Sequence, residues 1–414
     1  MQHFKEEKTL IVIGGGAAGF FCAVNAARLA PNLKVIILEK SSKVLSKVKV
    51  SGGGRCNVTH HCFDINELIK KYPRGKNFLK KELFQFTPKD TIEWFESRGV
   101  ALKAEPDGRM FPVSNSSQSI IDCLLQEATK YKVHLRMNSH VQQFVKNEDK
   151  WILDLGDEKL QADFVCVACG GFPKLQQFDW LQNLQHQIES PVPSLFTFNI
   201  PNNSVTTLMG VSVQRAQVKV LGTKLNEEGP IMITHWGMSG PGVLRLSAWG
   251  ARILAEKHYH YKTHINWLPD LKEHALREEW HSIRNKYAAQ KMNDKNPFEL
   301  PKRLWQYFLE KAEISLEMFW SKLPAKQQNK LIQILVADEY EVQGKTTFKE
   351  EFVTCGGITL NEIEAQTMRS KLHENLFFAG EIMDVDGITG GFNFQHAWAS
   401  GWIAAKNISF NNKF

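Results

Sequence analysis

The stretch Thr9–Leu29, TLIVIGGGAAGFFCAVNAARL, constrains the fold of this chain more than any other. A β-branched run at Leu10–Ile13 precedes the glycines, and an alanine-rich segment follows them. Gly14, Gly16 and Gly19 form the pattern G-x-G-x-x-G, which predicts a strand, a tight turn and a helix. The first glycine permits the turn, the second lets a pyrophosphate approach the backbone, and the third lets the helix pack on the strand. The three consecutive glycines disfavour a signal peptide, so we expect a dinucleotide site.

A second buried strand, LKVIILEK, ends at Glu39, about twenty residues beyond Gly19. A carboxylate at this position holds a ribose 2′-hydroxyl, which favours FAD or NAD over NADP. The N-terminus of the intervening helix, at Ala17 and Ala18, would offer free N–H groups to the phosphates. The alternative is a glycine-rich turn with a purely structural role.

The composition indicates an ordinary globular protein. The chain has 414 residues, enough for about two to three domains, with 43% hydrophobic and 23% charged residues. It has no apolar stretch of bilayer-spanning length, and its seven cysteines lack framework spacing, so we expect a cytoplasmic protein with no membrane partner. The net charge is +7, which a solvated surface explains as well as an anionic partner does. One basic cluster suggests nucleic-acid binding as a hypothesis: Lys70, Lys71, Arg74, Lys76, Lys80 and Lys81.

Beyond Glu39, the predicted type of secondary structure changes twice along the chain. Residues 132–171 predict a β-meander that returns to a buried strand at Phe164–Cys169. Prolines near residue 190 break the chain, alternation at Val211–Leu221 predicts antiparallel strands, and residues 270–335 are helical and charged. Glycine-rich, strand-like character returns from Thr354. We therefore expect one domain with a long insertion.

The cysteines do not predict redox or metal chemistry. Cys56 has no partner at a redox spacing, and it is interpreted as a packed small residue that also lines the cofactor loop. Cys166 and Cys169 lie three apart in one expected strand, where their side chains would point to opposite faces, too far apart for a disulfide. No metal site is expected, and no Ser–His–Asp arrangement stands out.

Six motifs along the chain carry a resemblance to a known family: IVIGGGAAG, KVKVSGGGRCNVT, GRMFPVS, THWGMSGPGVLRLS, VTCGGI and LFFAGEIMDVDGITGGFNFQHAWASG. With them the sequence resembles the BaiN-like (YhiN-type) flavoproteins, also described as aminoacetone-oxidase-like enzymes. The resemblance implies an α/β fold, with a Rossmann-type FAD-binding domain built from both chain ends, an inserted β-barrel-like unit and a small helical unit. It also implies that FAD is held by Glu39, by the Ser51–Asn57 loop and by the C-terminal motif.

The sequence departs from the usual family pattern at four positions. Phe392 stands where the family usually has Tyr, Cys355 where it has a small residue, and His60 where Asn is common. Lys49 is a charge where an apolar residue is typical. Phe392 lacks a hydroxyl that could have contacted the flavin or the substrate.

The C-terminal motif resembles the segment that many flavoproteins place along FAD. We expect a strand at Leu376–Ala379 and a turn at Gly380 and Glu381. Gly390 and Gly391 would open the final helix, whose N-terminus can face the flavin N1–C2=O, where negative charge develops on reduction. The full set of expected cofactor-binding residues is Gly14, Gly16, Ala17, Ala18, Gly19, Glu39, Lys40, Lys47, Ser51, Gly52, Gly54, Arg55, Cys56, Asn57, Val141, Gly170, Gly380, Glu381, Asp386, Gly390, Gly391, Phe392, Asn393 and Gln395.

The expected domains are a FAD-binding domain at 1–190 and 355–414, a β-rich insertion at 191–265 and 336–354, and a helical subdomain at 266–335. The expected function is that of a FAD-dependent oxidoreductase acting on a small organic substrate, with NAD(P)H as a transient donor. Candidate substrate residues are Arg109 and His235, the latter in a loop of the insertion expected to cover the flavin. The alternatives are a flavoprotein that acts on or binds tRNA and a non-catalytic flavin-binding scaffold. The sequence leaves the substrate and the oligomeric state open.

Overall fold

The computed structural model describes residues 7–347 and 353–412. Two compact units are present: Met1–Ser194 with Phe348–Phe414, here unit 1, and Leu195–Thr347, here unit 2. The division into three parts stays a prediction. No helix in the described ranges is long and apolar enough to cross a membrane.

The strands are β1 Thr9–Ile13, β2 Lys34–Leu38, β3 Thr59–His60, β4 Leu102–Ala104, β5 Arg109–Pro112, β6 His134–Arg136, β7 Gln143–Asn147, β8 Lys150–Asp154, β9 Lys159–Ala162, β10 Phe164–Val167, β11 Ile188–Ser194, β12 Thr197–Asn199, β13 Ser212–Val220, β14 Asn226–Thr234, β15 Gly237–Ser239, β16 His260–Asn266, β17 Asp338–Gln343, β18 Lys345–Thr346, β19 Val353–Ile358, β20 Ile363–Glu364, β21 Arg369–Ser370 and β22 Leu376–Phe378. The helices are α1 Ala17–Leu29, α2 Ser46–Gly54, α3 Ile65–Leu68, α4 Lys76–Leu83, α5 Pro88–Glu96, α6 Gln118–Lys130, α7 Asp179–Gln182, α8 Pro241–Trp249, α9 Ala251–Glu256, α10 Glu273–Lys286, α11 Lys302–Lys311, α12 Ala325–Ala337 and α13 Phe392–Asn411.

Unit 1 is built on a seven-stranded sheet with the order β20-β21-β22-β10-β1-β2-β6. Strands β22, β10, β1, β2 and β6 run parallel, and β20 and β21 are antiparallel additions. The central strands are short buried runs, as expected for parallel strands covered on both faces. Strands from both chain ends share this sheet, so the predicted Rossmann-type α/β fold is confirmed.

Helices α1 and α13 pack closely, although they come from opposite ends of the chain. A Cβ atom at Gly401 would lie 2.7 Å from the backbone oxygen of Ala18, so only glycine allows this approach. Both helices are mostly apolar, and their buried side chains form much of the unit 1 core. The contact brings the C-terminal motif to the first glycine turn.

Three smaller sheets complete unit 1: β3-β5-β4, β7-β8-β9 and β11-β19. The β7-β8-β9 sheet is the predicted meander, and β10 follows it. Strand β10 ends at Val167, two residues earlier than predicted. Pro191 and Pro193 lie inside β11 rather than breaking the chain, because within the described ranges β11 pairs only with β19 and carries an irregularity between Glu189 and Val192.

Unit 2 contains a seven-stranded antiparallel sheet with the order β17-β16-β13-β14-β15-β12-β18, together with helices α8–α12. Strand β13 confirms the antiparallel strands predicted from the alternation at Val211–Leu221. The aromatic and aliphatic side chains of α11 are buried in the unit 2 core, as their spacing predicts: Leu304, Trp305, Phe308 and Leu309.

Candidate functional site

The glycine turn between β1 and α1 lies at the carboxyl ends of the parallel strands. Gly14 has a φ of +113°, and a Cβ there would lie 2.5 Å from the Cα of Cys169. A Cβ at Gly19 would overlap the carbonyl oxygen of Gly14, so the helix sits directly on the turn. A Cβ at Gly16 would meet no atom within 4 Å. Two of the glycines are therefore needed for packing, and the third faces open space.

The N-terminus of α1 carries no side-chain cap. Its N-cap residue is Gly16, in an extended conformation, and Ala17 and Ala18 begin the helix. The first N–H groups of a helix have no intrahelical acceptor and carry a partial positive charge. Because the space before Gly16 is open, a phosphate has room to accept these hydrogen bonds.

Glu39 follows β2 and points its carboxylate at the same turn. Its Oε2 accepts the N–H of Gly15 at 2.8 Å, and its Oε1 accepts both the N–H and the hydroxyl of Ser41 at 2.8 Å. A carboxylate has about four acceptor positions, so these three bonds fix the side chain and leave one position free. The half-buried carboxylate can therefore still accept a ribose hydroxyl.

The Ser51–Asn57 segment forms an exposed glycine bend rather than a regular helix. Within α2, Ser51, Gly52 and Gly53 have non-helical dihedral angles, and the three consecutive glycines have positive φ. Cβ atoms at Gly53 and Gly54 would meet nothing within 4 Å. The bend therefore exposes backbone without side chains.

Arg55 lies directly after this bend. Its Nη1 donates to the Glu105 carboxylate at 3.0 Å, and its guanidinium lies 4.0 Å from the centroid of the Phe111 ring. Arg55 is partly exposed, while Cys56 and Asn57 are buried. The guanidinium is thus held at the edge of the bend, with part of its surface open.

A third group of predicted residues meets at the turn after β22. The Nζ of Lys47 lies 2.6 Å from the Glu381 carboxylate, which also accepts the N–H of Thr354 at 2.8 Å. A Cβ at Gly170 would lie 4.0 Å from the same carboxylate. A Cβ at Gly380 would lie 2.8 Å from the Cβ of Ala18, so this turn contacts the first turn of α1.

Helix α13 also begins without a side-chain cap. Gly390 and Gly391 precede it with φ values of +140° and +92°. A Cβ at Gly391 would lie 2.5 Å from the carbonyl oxygen of Thr59, so β3 packs against this N-terminus. Asn393 exchanges two hydrogen bonds with the backbone of Gly387, which closes the preceding loop. The glycines are therefore required by the turn itself.

Two polar residues of the C-terminal motif are buried and hydrogen-bonded within the protein. Asp386 is fully buried, and its carboxylate accepts hydrogen bonds from Arg74 and from the Ser194 hydroxyl. Gln395 is fully buried too: its amide oxygen accepts hydrogen bonds from the Thr59 and Thr91 hydroxyls, and its amide nitrogen donates to the Phe86 carbonyl. Neither side chain has exposed surface for a ligand. In this arrangement both side chains stabilise the fold, and their contacts with a cofactor stay predictions.

Lys40, Val141 and Phe392 complete the predicted cofactor set. The Nζ of Lys40 lies 5.4 Å from the centroid of the Phe172 ring, and Lys40 itself is exposed beside Glu39. Val141 is buried after β6, and Phe392 is buried as the first residue of α13. Their contacts with a cofactor stay predictions.

The thiols of Cys56 and Cys169 are poor nucleophiles. Burial raises the pKa of Cys56 to about 12 and that of Cys169 to about 12. Cys166 is fully buried in β10, whereas Cys169 lies beyond the end of this strand, so our placement of both in one strand is wrong. Cys169 instead packs against Gly14.

A Ser–His–Glu arrangement that the sequence did not reveal lies in unit 1. The Nδ1 of His186 lies 2.8 Å from the Glu362 carboxylate, and its Nε2 lies 3.2 Å from the Ser370 hydroxyl. The Ser370 oxygen also accepts the N–H groups of Leu372 and His373, and its side chain is buried. Because its lone pairs are engaged and no substrate can reach it, the group holds β21 in place and is not a hydrolytic centre.

The two candidate substrate residues lie in different units. Arg109 begins β5, and its Nε donates to the Asp107 carboxylate at 2.7 Å at the surface of unit 1. His235 is exposed in the turn between β14 and β15 of unit 2, with its ring 4.0 Å from that of Trp236. A substrate role for either residue stays a prediction.

The basic cluster at residues 70–81 is only partly a charged surface. Arg74 is half-buried and pairs with the buried Asp386, and Lys70 is exposed but lies 2.5 Å from the Glu67 carboxylate. The remaining members are exposed: Lys71, Lys76, Lys80 and Lys81.

Comparisons with known proteins place the chain in a family. A family model described as the HI0933-like protein Rossmann domain matches residues 8–407. The ribosomal RNA dihydrouridine synthase of Escherichia coli (strain K12) is 31% identical over 409 residues, covering 96% of this chain and 97% of that protein. The 3-dehydro-bile acid delta(4,6)-reductase of Clostridium scindens is 27% identical over 403 residues, covering 95% of this chain and 97% of that protein.

Among solved structures, a 3-ketosteroid delta1-dehydrogenase from Sterolibacterium denitrificans matches with a TM-score of 0.51 at 13% identity, covering 98% of this chain and 100% of that chain. At this identity the likeness concerns the fold alone. Since the family model spans nearly the whole sequence, the resemblance to BaiN-like flavoproteins is confirmed, and the chain belongs to the HI0933-like Rossmann-domain family.

Proposed function

We propose that this protein is a FAD-dependent reductase. The observation that carries the proposal is the glycine turn of unit 1, where open space before Gly16 meets an uncapped helix N-terminus and the fixed carboxylate of Glu39. These groups fit the pyrophosphate and the ribose of an adenine dinucleotide. The exposed bend at Gly52–Gly54 and the uncapped N-terminus of α13 add further backbone N–H groups for such a ligand.

The residues of unit 1 bind and orient the cofactor in this proposal. The N–H groups of α1 hold the phosphates, Glu39 accepts the ribose hydroxyl, and Arg55 offers its open guanidinium edge to an anionic group. The N-terminus of α13 stabilises negative charge at the pyrimidine end of the flavin. Bound FAD supplies two-electron hydride chemistry, while the protein supplies orientation and electrostatics.

We further infer that the substrate contains a carbon–carbon double bond conjugated to a carbonyl group. The support is chemical. A dihydrouridine synthase by its name saturates a uracil bond conjugated to a carbonyl, and the bile acid reductase by its name reduces double bonds conjugated to a 3-ketone. Hydride addition to such a bond places negative charge on the carbonyl oxygen, which the conjugation stabilises. The reaction class is therefore common to two relatives whose substrates differ.

The first candidate substrate is a small organic enone, with NAD(P)H as the electron donor. The second is a uracil base in RNA, favoured by the name of the E. coli relative and by the exposed lysines at positions 71, 76, 80 and 81. Exposed lysines near a site attract phosphates and make binding dependent on salt.

One experiment tests the cofactor and both substrate classes. The purified protein is loaded with FAD, reduced anaerobically with NADH or NADPH, and mixed with a 3-keto-Δ4 steroid or with unmodified uracil-containing ribosomal RNA. Flavin reoxidation by the steroid supports the small-molecule reading, and dihydrouridine formation detected by mass spectrometry supports the RNA reading. A colourless protein that takes up no FAD contradicts the proposal, and FAD-loaded protein inert towards both acceptors contradicts the inferred reaction class.

A further inference from the structure

His60 lies where β3 meets the N-terminus of α13. Its Nδ1 is 3.0 Å from the carbonyl oxygen of Gly390. A carbonyl oxygen only accepts hydrogen bonds, so Nδ1 carries the proton and donates. The neutral ring therefore gains its next proton at Nε2, the nitrogen that packs against Gly108.

The His60 ring stacks on Phe392, with centroids 4.7 Å apart and planes tilted by 31°. Tyr72 approaches Phe392 with its ring edge, and its hydroxyl donates to the Phe392 carbonyl at 2.8 Å. His60 and Phe392 are two of the positions where this sequence departs from the usual family pattern, and the structure places them in contact. Together with Tyr72 they fix the first residue of α13.

The surroundings of His60 lower the pKa of its imidazole overall. Burial is the largest effect and lowers the pKa of His60, and the nearby charges of Lys71 and His61 lower it further. The Gly390 hydrogen bond and the carboxylate of Asp107 act in the opposite direction. Arg109, the β5 partner of His60 in the sheet register, is paired with Asp107.

We propose that His60 is a positioning residue that holds the Gly390 carbonyl and couples reduction of the bound flavin to uptake of one proton. The proposal rests on the proposed function, in which α13 faces the pyrimidine end of FAD. A flavin reduced by hydride would carry one negative charge, and this charge would outweigh the partial positive charge of the helix N-terminus and favour uptake of a solvent proton at Nε2 of His60.

The test is the midpoint potential of the bound flavin, measured against pH from 5 to 8.5. For a two-electron couple, one coupled proton adds about 30 mV per pH unit to the slope. We expect this extra slope in the wild type and its absence in His60→Asn, whose amide nitrogen keeps the donor to Gly390 but does not titrate. The flavin's own protonation occurs in both proteins, so the difference between the two curves isolates His60.

His134→Asn is the matched control, because His134 is an exposed histidine in β6 that does not act on the pKa of His60 and should leave the curve unchanged. His60→Phe keeps the stacking but loses the donor, so we expect about fivefold weaker FAD binding. Identical curves for wild type and His60→Asn would overturn the inference. If His60→Asn holds no FAD, NMR titration of His60 in the wild type decides, and equal pKa values in the oxidised and reduced protein would overturn it. A wild type that binds no FAD instead contradicts the proposed function.

Discussion

Gly16, the N-cap residue of α1, and Gly19, in the first turn of the same helix, should respond differently to the same added methyl group. Gly19→Ala places a Cβ onto the carbonyl oxygen of Gly14 and 3.1 Å from its carbonyl carbon, and backbone cannot rotate away. Overpacking costs up to about 3 kcal/mol, and the better helix propensity of alanine returns about 1 kcal/mol. We therefore expect a net loss of about 2 kcal/mol in the stability of the cofactor-free protein.

Gly16→Ala meets no atom within 4 Å, and the φ of −92° suits alanine. The weaker N-cap preference of alanine and the reduced entropy of its unfolded chain nearly cancel, leaving a change within about 0.5 kcal/mol. The methyl group would instead occupy the space proposed for the pyrophosphate. A misfit of about 1.4 kcal/mol or more there weakens FAD binding at least about tenfold.

The assay measures thermal unfolding of the cofactor-free proteins and FAD affinity by fluorescence quenching. At about 2 °C per kcal/mol for a unit of this size, Gly19→Ala should lose about 4 °C and Gly16→Ala about 1 °C or less. Wild-type FAD affinity in Gly16→Ala would refute the placement of the pyrophosphate. A loss of stability in Gly16→Ala equal to that in Gly19→Ala would refute the conclusion that the space around Gly16 is open.

Three further predictions follow from single side chains. Glu39→Ala removes a charged acceptor, and we expect FAD titration to show about tenfold or greater weakening. His396→Phe leaves Glu82 buried without its partner at 2.9 Å, so chemical denaturation should show a loss of about 3 kcal/mol, largely recovered in the double variant with Glu82→Leu. Burial lowers the pKa of His186, so the unfolded chain binds its proton more readily and stability falls as the pH drops below about 6.5. His186→Asn should show a shallower fall, and parallel pH profiles would contradict this assignment.

Much of the framework of the candidate site could be predicted because its signals are local. The β1–α1 turn, the strand ending before Glu39 and the turn after β22 each have a pattern that a short window of sequence contains. The glycines of these turns are required by local backbone geometry, such as the φ of +113° at Gly14. The end of β10 was misplaced by two residues, because an apolar run does not mark where sheet pairing stops.

The roles of polar side chains could not be predicted in the same way. Asp386 and Gln395 sit in a motif that resembles a ligand-binding segment, yet their partners Arg74 and Thr91 lie about three hundred residues away. The buried pair of Glu82 and His396 is separated by a similar distance along the chain. No local sequence pattern indicates such pairs, because they form only when segments far apart in the chain pack together.

The sequence by itself determined the Rossmann-type fold, the first glycine turn and the acidic residue at the end of β2, because backbone sterics and strand–helix periodicity act over a few residues. Only the tertiary structure decided which polar groups remain accessible to a ligand and which are hydrogen-bonded within the protein. The physical reason is that a buried polar group must find a hydrogen-bond partner, and that partner is chosen by packing. The same packing brought His60 against Phe392 and Gly390, so a departure from the family pattern became a site with a testable role.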